Sequence, residues 1–177
     1  SYVVVSNHQS NLDPMCHFLG LALPLRFLAK KELFRVPLFG RALRAVRTIE
    51  VDRTAPRRGN IGRQVGTVVA LGRSIIVYPE GTRTHDGEVG PFKKGAFTIA
   101  AQTRLPVLPV TIDGTFQAWP RKRFLIKPGT VKVVISEPIP TEGLADADIL
   151  ALRDRTRAVI VENLRSMRSR GDSPHGG

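Results

Sequence analysis

Tyr2-Val3-Val4-Val5-Ser6-Asn7-His8-Gln9-Ser10-Asn11-Leu12-Asp13-Pro14 passes from a β-branched run to a polar loop to the start of a helix. The valines read as a short buried strand, and the polar residues end it abruptly. Pro14 suits the first turn of a helix, where a missing N–H costs nothing, and Asp13 suits the cap before it. The helix is expected over Met15 to Leu23, closed by Pro24. Strand, loop and helix in that order are the repeating unit of an α/β domain.

Working outward, apolar runs of alternating length and period repeat the theme. Leu25 to Ala29 and Thr48 to Val51 read as strands, and Arg57 to Leu71 as a helix with Ile61, Val65, Val68 and Val69 on one face. Ser74 to Tyr78 is the clearest central strand, broken by Pro79-Glu80-Gly81-Thr82. Gly95 to Thr103 reads as a helix and Leu105 to Ile112 as a strand. Pro109 removes one ladder donor, so that strand is expected at an edge or with a bulge. Phe124 to Lys127 and Val131 to Ile135 are strand candidates around Pro128-Gly129. Asp146 to Met167 reads as a long helix. The fold expected is α/β: a central mixed, mostly parallel sheet flanked by helices, with its site at the strand ends. Residues 1–169 form one domain and 170–177 a disordered tail.

The chain has 177 residues, 42% apolar and 24% charged, an ordinary globular balance. Its net charge of +12 points to an anionic partner. Aromatic content of 6% offers little for stacking nucleic-acid bases, so no nucleic-acid partner is expected. Cys16 is the single cysteine, which leaves no disulfide or Cys-rich metal site; it reads as a small buried filler. No apolar run reaches the roughly 20 residues that span a bilayer. The chain opens on a strand without an initiator methionine, as a fragment lacking an N-terminal membrane anchor would.

A histidine that attacks through a hydroxyl needs its tautomer held, and a carboxylate on the other ring nitrogen does that. His8 and Asp13 can meet on a strand-end loop, where α/β domains place their sites. The same two residues read equally as a loop histidine and a helix cap, and spacing alone does not choose. Arg83, by itself, reads as an ion-pair partner of Glu80 or Asp86. His17 reads as structural. A metal would need His8, Asp13, His85 and Asp86 to converge, and none is expected.

Asn7 to Asp13 resembles the NHxxxxD signature of the glycerolipid acyltransferases, the family of the bacterial 1-acyl-glycerol-3-phosphate acyltransferases. Further matches follow in order. Lys30-Lys31-Glu32-Leu33-Phe34 with Pro37 and Gly40 resembles the K-x-E-L…P…G block, and Val51-Asp52-Arg53 the second motif. Tyr78-Pro79-Glu80-Gly81-Thr82-Arg83-Thr84 is similar to FPEGTRS, Phe92-Lys93-Lys94-Gly95-Ala96 to the segment after it, and Val107-Leu108-Pro109-Val110 to the proline-centred fourth motif. The resemblance runs to about Pro138. Asn11, Val51, Tyr78 and Thr84 depart from the usual residues, which bears on the acceptor.

The resemblance implies transfer of a fatty-acyl group from acyl-CoA or acyl carrier protein to the sn-2 hydroxyl of 1-acyl-glycerol 3-phosphate, giving phosphatidic acid. His8 would be the general base and Asp13 its orienter. Arg83, with Arg53 and Lys30, would bind the acceptor phosphate. Glu80, Gly81 and Thr82 would shape the turn, with backbone N–H groups near Gly81 as oxyanion donors. Ser10 is not expected to be a nucleophile. Lys93 and Lys94 would hold a second anion or form a solvated basic face, and Pro109 would line the acyl or donor pocket or belong to the core. No cofactor is implied. The same chemistry on glycerol 3-phosphate, a lysophospholipid or a lyso-aminolipid is the nearest alternative, and a non-enzymatic module on anionic membrane the more distant one. Residues 30–47 mix apolar and basic side chains, as a surface on anionic headgroups or a packed basic helix pair would. The expected location is the cytoplasmic face of the inner or plasma membrane.

Overall fold

The computed structural model describes residues 1–30, 34–35, 37, 41, 44, 48–51, 59–121, 123 and 125–171, with backbone alone at 28–30, 49–51, 59–64 and 171. Among the described residues six strands form one sheet: β1 (Val3–Ser6), β2 (Leu25–Lys30), β3 (Ile49–Val51), β4 (Ser74–Val77), β5 (Val107–Asp113) and β6 (Lys132–Ile135). Their spatial order is β3-β2-β4-β1-β5-β6, with β6 antiparallel to β5 and every other neighbouring pair parallel. The helices are α1 (Asp13–Gly20), α2 (Gly59–Ala70), α3 (Gly95–Thr103), α4 (Thr115–Ala118) and α5 (Ile149–Gly171).

β1 lies between β4 and β5, and all four of its residues are fully buried. A parallel strand covered on both faces must be apolar throughout, which is why the valines run without alternation. Val3, Val5, Ile75 and Val107 face one layer, where Phe97 of α3 and Ile160 and Leu164 of α5 pack. Val4, Ile76, Leu108 and Val110 face the other, smaller layer with Leu21, Leu25 and Phe27. After β1 the chain enters the second layer through α1, whose Phe18 ring lies 4.9 Å from Phe27. After β4 it enters the first layer through α3. The chain therefore leaves the adjacent ends of β1 and β4 toward opposite faces, the usual ligand position in such sheets.

Four expectations change. Asp13 does not cap α1: Leu12 holds that place without a side-chain bond, because the Asp13 carboxylate turns back onto the preceding loop. The helix stops at Gly20, since Leu21 is extended at φ −106° and ψ 113°. β5 is an interior strand. The Pro109 carbonyl accepts from the Ser136 N–H at 3.0 Å, so its missing donor faces the point where β6 ends. The bulge lies in the partner: from Val110–Ile135 to Val107–Ile139, three steps along β5 are matched by four beyond β6. Finally, the described residues of Phe124 to Lys127 form no strand. Leu125 and Ile126 stay exposed, and the free edge of β5 is already taken by β6. The pair of helices expected between Lys31 and Val46 falls largely outside the described residues.

Candidate active site

Where β1 ends, Asn7 extends its ladder with a side chain. Its Nδ2 donates to the Ile112 carbonyl at 2.8 Å and its Oδ1 accepts from the Ile112 N–H at 2.9 Å. Only a carboxamide offers a donor and an acceptor in that arrangement. His8 follows immediately. Its Nδ1 lies 2.7 Å from Asp13 Oδ2. The same oxygen accepts from the N–H groups of Gln9 at 2.7 Å and Ser10 at 2.9 Å, and Oδ1 accepts from the Thr115 hydroxyl at 2.6 Å. Asp13 is wholly buried, and four donors satisfy its two oxygens, three on Oδ2 and one on Oδ1. Accepting at Nδ1–H, it leaves Nε2 as the unprotonated nitrogen. Nε2 has no protein partner among the described residues, and about a fifth of the His8 side chain is exposed.

The turn after β4 grips His8 from the other side. Glu80 Oε1 accepts from the His8 N–H at 2.8 Å, and the His8 carbonyl accepts from the Thr84 N–H at 2.8 Å. The Tyr78 ring stacks on the imidazole, 4.2 Å between centroids and 16° between planes. Burial pushes the Tyr78 hydroxyl well above its ordinary range. Gly81 sits at φ +75° and donates its N–H to Tyr78, which tightens the turn. Glu80 also accepts from Gly90 N–H at 2.9 Å; burial raises its carboxyl pKa, against the pull of the His8 and Gly90 N–H groups. Glu80 therefore braces backbone rather than Arg83. Among the described residues the half-buried Arg83 guanidinium has no hydrogen-bond or ion-pair partner; burial, then the Arg121 charge, lowers its pKa.

The remaining residues singled out in the sequence fall as follows. Lys30 ends β2, with its side chain outside the described residues, and Arg53 lies outside them altogether. Lys93 and Lys94 are exposed at the start of α3, where the Lys93 N–H donates to Pro79 at 3.0 Å. Pro109 is buried in β5 and shares a sheet face with Val107. Ser10 is buried and gives its hydroxyl proton to the Trp119 carbonyl at 2.8 Å, so it is not poised for attack. Cys16 is half-buried, and burial raises its thiol pKa. His17 is fully buried between the Asp13 carbonyl, 2.6 Å from Nδ1, and Ser6 Oγ, 3.0 Å from Nε2; burial lowers its pKa. His85 pairs with Arg121 at 2.9 Å. Among the described residues no cluster of three His, Cys, Asp or Glu could hold a metal.

Four contributors escaped the sequence reading. Thr115 closes the shell of Asp13 from 102 residues away. Arg121 reaches the Thr82–His85 turn. Arg157 and Arg168 of α5 hold the Val89, Gly90 and Gly87 carbonyls, steadying the loop that donates to Glu80. None carries a local pattern.

The family model described as Acyltransferase matches residues 1–113, from β1 through both turns of the site. This chain belongs to the acyltransferase family. The chloroplastic 1-acyl-sn-glycerol-3-phosphate acyltransferase of Brassica napus is 38% identical over 92% of this acyltransferase chain and 46% of its own length. The human 1-acyl-sn-glycerol-3-phosphate acyltransferase alpha is 36% identical over 96% and 61%. The crystal structure of the 1-acyl-sn-glycerophosphate acyltransferase from Thermotoga maritima superposes with a TM-score of 0.79 at 33% identity, covering 95% of this chain and 66% of that one. The acyltransferase chain thus spans about half to two thirds of the relatives it matches. No helix among its described residues is long and apolar enough to cross a membrane.

Proposed function

We propose that the protein transfers a fatty-acyl group from a thioester, acyl-CoA or acyl carrier protein, to the sn-2 hydroxyl of 1-acyl-glycerol 3-phosphate, giving phosphatidic acid. One observation carries this: an imidazole held by a buried carboxylate at 2.7 Å, with its free nitrogen open, is locked by backbone bonds to the turn bearing an unpaired arginine. His8 Nε2 takes the acceptor hydroxyl proton as that oxygen attacks the thioester carbonyl. The tetrahedral intermediate expels the thiolate, and the imidazolium returns the proton to sulfur. A thiolate leaves readily, so no acyl-enzyme is needed, which agrees with the engaged Ser10 hydroxyl. Arg83 binds the acceptor phosphate, assisted by Arg53 and Lys30. Gly81 N–H is spent on Tyr78, so any oxyanion donor at this turn lies beyond it.

An amphiphilic acceptor must be collected from a bilayer. α1 carries Met15, Phe18 and Leu19 exposed at 54%, 42% and 83%, a stripe one turn from Asp13. That stripe and the +12 charge support contact with an anionic membrane surface beside the site.

Full-length protein incubated with a thioester donor and lysophosphatidate is expected to release thiol and form phosphatidate. His8→Ala lowers kcat by about 10²–10⁴-fold. Arg83→Ala raises KM, and Arg83→Lys restores it poorly because the donor fork is lost. Wild type inert on every lyso-acceptor, or full activity in His8→Ala, ends the reading.

A further inference from the structure

Arg121 belongs to the loop after α4, far from either motif of the site. Its Nη1 nevertheless lies 3.2 Å from the Arg83 carbonyl, 3.4 Å from Thr82 Oγ1 and 2.9 Å from His85 Nε2. Because an arginine only donates, His85 Nε2 is the acceptor in this contact. Only Nη1 is used in these contacts, so Nε and Nη2 have no partner among the described residues.

The nearby carboxylates spend their hydrogen bonds on other donors. Glu80 faces the N–H groups of His8 and Gly90. Asp86 accepts from Thr84 Oγ1 at 2.8 Å and from Glu88 N–H at 3.0 Å. Asp13 is closed in by its own four donors. Two arginines thus meet at one turn, and among the described residues neither guanidinium is hydrogen-bonded or ion-paired to a carboxylate. Burial first and the Arg121 charge second lower the Arg83 pKa, against an opposing pull from the Asp13 charge. Like charges are kept together at such a cost where an anion of matching charge enters.

We propose that Arg121 determines headgroup specificity: with Arg83 it favours a terminal phosphomonoester, which carries nearly two negative charges, over the singly charged phosphodiester of a larger lysophospholipid. This rests on the acyl-transfer reading above. Arg83 alone would accept either acceptor. The second guanidinium adds attraction only for the second charge, and a substituted phosphate both lacks that charge and crowds the turn.

The test compares full-length wild type, Arg121→Gln and Arg121→Lys on 1-acyl-glycerol 3-phosphate and on 1-acyl-glycerophosphoglycerol. Gln keeps an N–H for the Arg83 carbonyl and so separates loss of charge from loss of the turn's clamp. Arg121→Gln is expected to raise KM for the monoester about tenfold, as loss of a charge-assisted contact does, with kcat within about threefold. KM for the diester moves less, so the preference for the monoester falls; Arg121→Lys retains more of it than Gln. An active wild type that uses both acceptors equally, or a preference unchanged in Arg121→Gln, overturns the inference and leaves acyl transfer standing. A wild type inert on both sinks acyl transfer instead.

Discussion

At the residue scale, the two oxygens of Asp13 divide the work. Oδ2 collects His8 Nδ1 and two backbone N–H groups, while Oδ1 is held by Thr115 alone among side chains. Thr115 therefore sets the rotation of the carboxylate about its own axis, and through it the plane of the imidazole. Thr115→Val keeps the shape and deletes the donor, leaving Oδ1 buried without a partner. The expected cost is about 1–3 kcal/mol of stability, with kcat falling more than KM changes. Thr115→Ser restores the hydroxyl and most of the rate. Urea unfolding with steady-state kinetics on the three proteins checks this; equal kcat in Thr115→Val and wild type would mean that the carboxylate is held without it. Tyr78 acts from the opposite direction by covering one face of the ring, so tautomer and plane are set independently.

At the element scale, α4 is only four residues long, yet it delivers Thr115 to the site. Gly114 before it sits at φ +97°, and a Cβ there would run into the Thr130 carbonyl. Gly114→Ala combines a left-handed backbone with a clash against main chain. It is expected to cost more than about 2 kcal/mol and to lower kcat by displacing Thr115, a paired loss readable in the urea midpoint and the turnover rate. The elements legible in the sequence are those with strong local patterns. The β1 valines, the polar break at Asn7, the Gly81 turn and the Gly95–Thr103 helix all sit as the residues alone dictate. Failures arise where a distant partner decides. Leu125 and Ile126 are apolar enough for a strand, but β5 is already paired on that side by β6. Pro109 suggested an edge because its tolerance depends on where β6 ends, which no residue near Pro109 reports. Thr115 and Arg121 were invisible for the same reason: each acts on a motif at least 36 residues away.

At the scale of the whole molecule, two buried titratable groups behind the site pull stability in opposite directions. Burial drives the His17 imidazole below its ordinary value of 6.5, so on acidification the unfolded chain takes up this proton before the folded protein does. Stability then falls as pH drops below about 6.5, by at most about 1.4 kcal/mol per pH unit from this one group, until the folded imidazole is protonated as well. Glu80 works the other way. Burial raises its carboxyl above 4.5, so the folded protein holds that proton longer, and the stability it contributes is lost as pH rises from 4.5 through its folded value. His17→Gln removes the histidine's share and leaves that of Glu80 in place. Between about pH 7.5 and 5.5 the wild type is therefore expected to lose stability, and His17→Gln, which has no proton to gain, to lose less of it. The difference is measured as the change in urea midpoint of each protein across that range, followed by the fluorescence of the single tryptophan, Trp119. Parallel losses in the two proteins would assign the acid sensitivity elsewhere. A smaller loss in the variant would mean that the buried histidine between Asp13 and Ser6 links the integrity of the catalytic loop to proton concentration.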